Sequence, residues 1–537
     1  MNTECEFDVG IQSYRNPVPA LTYCPRGRGD NRQSDATRKG QTPIADLFSA
    51  VLGETAPLVL TLDRLHPLHF IGVGGIGMSA LAGILAARGY KVSGSDARES
   101  PTLDRLRSNG VRLFSHQSAE TISILRQNNS PDPVAVISTA VPPTNPELME
   151  AHKAGLTIAH RSDVLAALIN NQPSIAVAGS HGKTTTSTLI ATLLEAVNLD
   201  PTAVIGGIVP AFGSNARHGR GRLLVAEADE SDGSLVKFAP QLAVLTNVEL
   251  DHTDHYPDLQ SLIDTLQKFV CASKALLANY DCPILRKHFS ADNWWSTETI
   301  EGATFSAIAT DERGDGTSAE FHENGTHLGP IELPLPGRHN LSNATAALGV
   351  CRLEGVAFSD LQKALAALRS PIRRFEFRGA WRGRLVVDDY AHHPSEVATT
   401  MRMARLMVKT GQSPFPLPPR RLVAVFQPHR YSRTAQFLEA FAHALAKADL
   451  VLLAPLYSAG ESPIEGVSST ALALTLQHLM PNLPVLVADS LQHLAQQVAS
   501  STQRGDLVLA MGAGDINSLW KQLDALDLHD GSPALVA

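Results

Sequence analysis

From Pro67 onward the chain alternates between short β-branched or aliphatic runs and longer segments whose apolar positions recur at helical spacing. "LHFIGVG", "KVSGSD" and "VAVISTA" belong to a first series, a second starts at "PSIAVAGS", and a third runs from "GRLVVDDYAHHP" through "RLVAVFQPH", "DLVLLAPLY" and "DLVLAMGAGD". Such alternation predicts parallel strands joined by crossover helices. The pattern therefore predicts an α/β protein built of three units in series. An arginine-rich junction, "RSPIRRFEFRG", separates the second unit from the third, and "VKTGQSPFPLPPRR" is too rich in proline for an element and reads as a surface loop. Residues 1–64 show little periodicity apart from "IADLFSAVL" and are expected to form a poorly ordered extension.

Composition narrows the function classes. A chain of 537 residues suits about three domains at ~100–200 residues each. Hydrophobic residues make up 44% and charged residues 18%, and no apolar run approaches the ~18 residues that span a bilayer, so no membrane insertion is expected. Lys and Arg number 45 against 53 Asp and Glu, a net charge of -8, which provides no global field for nucleic acid but leaves room for local anion pockets. Cys5, Cys24, Cys271, Cys282 and Cys351 are scattered without a Cys-x-x-Cys pair and read as reduced thiols of a cytoplasmic protein. Glu4, Glu6 and Asp8 argue against a signal or transit peptide.

Two glycine loops carry the chemistry. In "HFIGVGGIGMSALAGILAARGYKVSGSD", Gly72, Gly74, Gly75 and Gly77 lie between an apolar strand and a helix, and Asp96 ends the next strand. Glycines there allow a tight turn and close backbone approach, so amides at the helix start can hold a diphosphate while Asp96 accepts from a sugar hydroxyl. The second loop, "AVAGSHGKTTTSTLI", has only Ser180 and His181 between Gly179 and Gly182, shorter than the usual Walker loop. Its strand-to-helix setting gives Lys183 a route to β- and γ-phosphates and offers the Thr184 hydroxyl to a metal.

A bound magnesium ion also needs hard ligands, and "LLVAEADESDGS" supplies Glu227 at a strand end. Asp229, Glu230 and Asp232, taken singly, read better as a solvated acidic turn. A further strand, "LAVLTNVELDHTDHY", ends in Glu249, Asp251, His252, Asp254 and His255, which places imidazoles and carboxylates near the same phosphates.

The segments "GSHGKTTT", "EADESDGS" and "TNVELDHTDHY" resemble the central domain of the bacterial Mur ligases, and the shortened loop is that family's form. "HFIGVGGIGMS", "VISTAVPPTNPEL", "LPGRHNLSNATAAL", "RRFEFRG", "VVDDYAHHPSEV", "FQPHRYSRT", "YSAGESPIEG" and "MGAGDI" extend the resemblance over roughly residues 66–537. It implies a Rossmann-like UDP-sugar domain over 65–169, a central P-loop-type ATPase domain over 170–370 and a C-terminal Rossmann-like domain over 371–537 that brings the amino acid. ATP and Mg2+ are the implied cofactors, with UDP-N-acetylmuramate and L-alanine as the implied substrates. Gly72, Gly74, Gly75, Gly77 and Asp96 then face the UDP-sugar. Gly179, Ser180, His181, Gly182, Lys183, Thr184 and Thr185 contact ATP, as do His339, Asn340 and Asn343 on the adenine side and Arg373 or Arg374 at the junction. Thr184, Glu227 and His252 are the implied metal ligands, and Tyr390, His392, His429, Arg430 and Arg433 surround the amino acid.

The implied reaction phosphorylates the muramoyl carboxylate and lets the alanine amine attack the acyl phosphate. Lys183, His252 and Arg374 are the expected catalytic groups, and His392 or His429 is expected to steer or deprotonate the amine. A nicotinamide dehydrogenase would leave the GKTTT loop without a role. A sibling ligase that adds a tripeptide to the same sugar shares "DDYAHHP" but not the front loop or "QPHRYSRT".

Overall fold

The structure, a computed structural model, describes residues 60–128, 131–251, 253 and 255–530. The expected extension lies outside the described residues as far as position 59, and so does His252. Among the described residues no helix is long and apolar enough to cross a membrane.

The first sheet contains β1 (Leu68–Ile71), β2 (Val92–Ser95), β3 (Arg112–Phe114), β4 (Val134–Ile137) and β5 (Ile158–His160), all parallel, in the order β3-β2-β1-β4-β5. The order reverses between β1 and β4, which opens a crevice at their carboxyl ends. Gly72, at φ 78°, turns the chain so sharply that its own N–H and that of Val73 both donate to Ser95 O, at 2.8 and 3.0 Å. Helix α1 (Ile76–Ala87) follows and buries Met78, Leu81, Ala82 and Leu85.

Ten strands form the central sheet: β6 (Ser174–Ala178), β7 (Thr202–Val209), β8 (Ser214–Arg217), β9 (Leu224–Glu227), β10 (Leu242–Leu245), β11 (Ala275–Asn279), β12 (Asn293–Ser296), β13 (Phe305–Glu312), β14 (Thr317–Glu323) and β15 (Thr326–Leu333). Their order is β15-β14-β13-β12-β11-β10-β6-β9-β7-β8, parallel in the middle and antiparallel at both edges. Leu189, Leu193 and Leu194 predict a single inward face for helix α2 (Lys183–Ala196), yet every residue from Thr185 to Leu194 is buried. The reason is helix α3 (Arg338–Leu353), whose Leu341, Ala344 and Leu348 join the same core and cover a second face.

The third sheet runs β16-β17-β21-β18-β19-β20, with β16 (Glu376–Trp381) antiparallel to β17 (Arg384–Asp389). β18 (Arg421–Phe426), β19 (Leu450–Leu453), β20 (Val485–Val487) and β21 (Asp506–Met511) complete it in parallel. Helix α4 (Pro394–Thr410) begins with proline in its first turn, where the missing N–H costs nothing, and stops at left-handed Gly411. The proline-rich loop beyond it does more than cover surface, because Phe415 stacks on Phe377 with ring centroids 4.7 Å apart.

A buried polar knot braces the first sheet. His69 and Glu147 are both fully buried and meet at 2.9 Å, His69 Nδ1 lies 2.9 Å from Ser93 Oγ, and Ser95 Oγ donates to the other Glu147 oxygen. Glu147→Ala strands two buried polar side chains, His69 and Ser95, without their partner. The expected loss is on the order of 3 kcal/mol, read as a lowered unfolding midpoint in urea; an unchanged midpoint would contradict this account of the knot.

Candidate functional site

The carboxyl ends of the parallel strands of the three sheets meet around a cavity of about 730 Å3. Parallel strands with crossover helices place their loops and helix starts on that edge, so a shared gap there collects backbone donors and functional side chains. Gly75, Gly77 and Ser138 come from the first sheet, Lys183, Thr184 and Glu227 from the central one, and Tyr390 and His392 from the third.

In the front loop Gly75 and Gly77 line the cavity, whereas Gly72 and Gly74 shape the turn behind it. The N-terminus of α1 has no side-chain cap, which leaves its positive end to the cavity. Asp96 departs from its expected role. Its Oδ2 accepts from Gly74 N at 2.8 Å and its Oδ1 from Arg98 N at 3.1 Å, so the carboxylate supports the loop and is not among the residues lining the cavity. Sequence reasoning missed Arg161, which lines the cavity so close to Gly77 that a Cβ there would sit 3.0 Å from its Nη1. Its position opening a helix gave no signal of a site.

The shortened loop is held from behind. His181 N donates to Asn247 Oδ1 at 2.9 Å, Thr246 Oγ1 donates to His181 O at 2.7 Å, and Ser180 Oγ donates to Glu249 O at 2.7 Å. Gly179, at φ 120°, leaves no room for a side chain, because a Cβ would lie 2.3 Å from Thr246 Oγ1. Gly182 likewise abuts Asn343, where a Cβ would lie 2.7 Å from Oδ1.

Lys183 Nζ donates to Gly179 O and to Glu230 Oε1, both at 2.8 Å. Glu230 corrects the reading of a solvated turn, since it is 1% exposed and serves as the buried counterion. Burial pushes its pKa up to about 7 against the pull of Lys183. The Lys183 pKa is raised by Glu230, Asp229 and Glu227 although burial opposes it, which keeps the ammonium charged. Thr184 Oγ1 donates to Glu227 Oε1 at 2.9 Å, and Gly206 N donates to Oε2 at 2.7 Å. Burial raises the Glu227 pKa. A hydroxyl and a half-buried carboxylate side by side, with Asp229 lining the same cavity, form a hard oxygen set that fits magnesium.

A second cavity, of about 510 Å3, opens on the other side of this loop and is lined by His181, Thr185, His339, Asn340, Asn343 and Arg374. Asn340 and His339 are not the N-cap of α3, which is Gly337; Asn340 Nδ2 instead donates to Pro336 O at 2.8 Å. Burial, with Arg402 and Arg374 nearby, lowers the His339 pKa to about 4. The two junction arginines differ: Arg373 is engaged by Asp388 and Gly512 O at 3.2 and 2.9 Å, while Arg374 lines both cavities.

The expected amino-acid cluster is only partly assembled around the larger cavity. Tyr390 and His392 line it; His429, Arg430 and Arg433 are not among its lining residues. Arg433 is buried, with Nη2 2.7 Å from Asp251 Oδ1, and Arg430 Nη1 lies 3.8 Å from Glu461. The two guanidinium groups therefore do not form a shared open fork. His429 stacks on Tyr457 at 5.5 Å. Burial lowers His392 to about 4 and His429 to about 3, so both rings are neutral at pH 7 and suit orienting an amine rather than stripping its proton.

His181 joins the central and third units. Its Nε2 lies 3.0 Å from Glu249 Oε2 and its Nδ1 3.4 Å from Glu396 Oε1 on α4. Burial opposes the charge, but hydrogen bonds to the two carboxylates raise its pKa to about 9.

Comparison with known proteins covers nearly the whole described chain. Family models match at residues 67–173 (Mur ligase family, catalytic domain), 177–351 (Mur ligase middle domain) and 373–514 (Mur ligase, glutamate ligase domain). A UDP-N-acetylmuramate–L-alanine ligase of Prochlorococcus marinus (strain MIT 9303) is 60% identical over 481 residues, 90% of this chain and 99% of that protein. One of the same name from Parasynechococcus marenigrum (strain WH8102) is 59% identical over 464 residues, 86% of this chain and 99% of the relative. The solved UDP-N-acetylmuramate-alanine ligase of Thermotoga maritima superposes with a TM-score of 0.70 at 25% identity, covering 87% of this chain and 100% of that one. A murein peptide ligase of Psychrobacter arcticus shares the fold, with a TM-score of 0.60 at 22% identity over 85% of this chain and 98% of its own.

The clasp on His181 has a pH signature. Its folded pKa of about 9 lies above the unfolded ~6.5, so its contribution is fully present below ~6.5 and is lost as pH rises through about 9. The unfolding free energies of the wild type and His181→Asn should converge over that window by up to ~3 kcal/mol. A constant difference across it would mean that the imidazole is not held charged.

Proposed function

The chain belongs to the Mur ligase family, and on that premise we propose that it joins L-alanine to the carboxylate of UDP-N-acetylmuramate, converting ATP to ADP and phosphate. The observation that carries this reading is the single cavity shared by three sheet edges, because each edge brings the donor chemistry one substrate needs. A glycine loop with an uncapped helix start suits the sugar diphosphate. The short loop with Lys183 suits the ATP phosphates. Neutral His392 beside Tyr390 suits an amine. The near full-length relatives share the L-alanine reaction in name, which favours it over the tripeptide-adding alternative.

A carboxylate is a poor acyl donor until one oxygen leaves as phosphate. The muramoyl carboxylate attacks the γ-phosphorus of ATP, the bond to the ADP oxygen breaks, and an acyl phosphate results. The alanine nitrogen then attacks the acyl carbon, loses a proton to solvent, and phosphate departs. Lys183 shifts its donors from Gly179 O and Glu230 to the phosphates, with Arg374 adding charge from between the two cavities. Thr184 and Glu227 would hold magnesium, which when bound neutralises phosphate charge. His392 Nδ1, 2.9 Å from Tyr390 O, donates there, leaving Nε2 free to accept from and orient the amine. Docking of the third unit through Asp251 and Arg433 keeps water from the acyl phosphate.

Phosphate release from ATP should require UDP-N-acetylmuramate and be greatest with L-alanine when glycine, L-serine and the tripeptide are offered beside it; a tripeptide preference would transfer the chain to the alternative. Lys183→Ala should lower kcat by at least ~10^3-fold, and Arg374→Ala by ~10^2 to 10^3-fold. Arg373→Ala should act chiefly on stability through its lost contacts to Asp388 and Gly512. A larger loss of kcat for Arg373→Ala than for Arg374→Ala would reverse their assignment.

A further inference from the structure

Beside the nucleotide loop stands a histidine that has no part in the reaction described above. His393, the residue before α4, is 2% exposed, and neither of its ring nitrogens has a hydrogen-bond partner among the described residues. A buried polar atom left without a partner costs about 1–3 kcal/mol. Its Nδ1 lies 4.0 Å from Glu249 Oε2, its ring centroid is 4.9 Å from that of His181, and His181 Nε2 is 3.0 Å from the same Glu249 oxygen. One ligand atom from each of His181, Glu249 and His393 therefore lies within 4.8 Å of the others.

We infer that His181, Glu249 and His393 form a binding site for a transition-metal ion of the zinc class, separate from the magnesium position at Thr184 and Glu227. Two imidazoles and one carboxylate are a recurrent zinc ligand set, with the fourth position left to water. Ligand bonds of ~2.0–2.2 Å separate tetrahedral donors by about 3.4 Å, so donors that already lie within 4.8 Å of one another close on an ion mainly by advance of the His393 ring. Imidazole selects zinc, cobalt or nickel over magnesium.

The surroundings fit the same purpose. When Nε2 of His181 gives up its proton to solvent and binds the ion, its Nδ1–H still faces Glu396 Oε1 at 3.4 Å, the carboxylate–histidine arrangement that orients metal-bound rings. Glu249 is steadied by Ser395 Oγ, which donates to its other oxygen at 2.5 Å. The ligands come from the phosphate loop, from the segment after β10 and from the start of α4. An ion held there pins the third unit to the nucleotide loop, and occupancy inhibits turnover because products leave only when the units separate.

The test uses the full chain, stripped with chelator and kept in saturating Mg2+, with Co2+ as a spectroscopic probe and Zn2+ as competitor. The wild type should take up one Co2+ with the intense visible band of tetrahedral coordination, and Zn2+ should abolish that band. His393→Asn retains a good N-cap for α4 and should lose the band, while the Zn2+ concentration that halves its own phosphate release rises at least ~10-fold. Thermal unfolding checks that the variant is folded; if it is not, Glu249→Gln carries the comparison. A band of equal intensity in wild type and variant, or no tetrahedral band in the wild type, overturns the proposal. The band is read without turnover, so its loss and a failure of the ligase reading are separate results.

Discussion

Carboxylates removed from water must find a cation, and at the meeting of the three sheets they find it in distant parts of the chain. Glu230 has Lys183, Asp388 has Arg373, Asp251 has Arg433, and Glu396 has His181, which it shares with the half-exposed Glu249. Three of these pairings do more than neutralise charge. Asp251 with Arg433 and His181 with Glu396 cross between the central and third units, and Lys183 with Glu230 fixes the loop on which His181 stands. Breaking one partner leaves the other buried and unpaired, which is far costlier than losing a surface ion pair. The geometry of the site therefore depends on charges that must stay matched.

Backbone shape supports that matching. Arg373 and Phe375 at the junction both adopt left-handed φ, 62° and 53°, and so does Arg430, at 69°. Non-glycine residues hold such angles only where the surroundings compensate. Arg373 N donates to Glu376 Oε2 and Phe375 N to Asp389 Oδ2, so the strained junction is locked by carboxylates of the strands it leads into. This directs Arg374 outward between the two cavities while Arg373 turns back into the third sheet.

The central sheet links the other sites through one strand. β7 lends Gly206 N to Glu227, and Ile208 O accepts from Ile372 N at 3.0 Å; in the β8 strand paired with it, Asn215 Nδ2 donates to Ile76 O at the start of α1. A shift in the carboxylate that fits magnesium is thus a shift in a hairpin touching both the front glycine loop and the junction. The coupling is mechanical, because strands and packed helices move as stiff bodies.

Much of this protein was legible in its sequence because the relevant physics is local. Glycines between strand and helix, a lysine and threonine at a helix start and an acid at a strand end follow from turn sterics and phosphate chemistry within a few residues, as does the alternation that marks parallel α/β units. Tertiary structure alone decided which charges face each other. Glu230 reads as part of a solvated turn until Lys183 is folded over it, Arg433 reads as a substrate fork until Asp251, 182 positions away in the chain, takes its guanidinium, and Asp96 turns to its own loop. Arg161 carried no local signature, and His393 lay in the motif "VVDDYAHHPSEV" without any role being legible for it. Their roles arise from burial and from partners brought near by sheet topology, and desolvation is a property of the assembled fold that no short window of sequence contains.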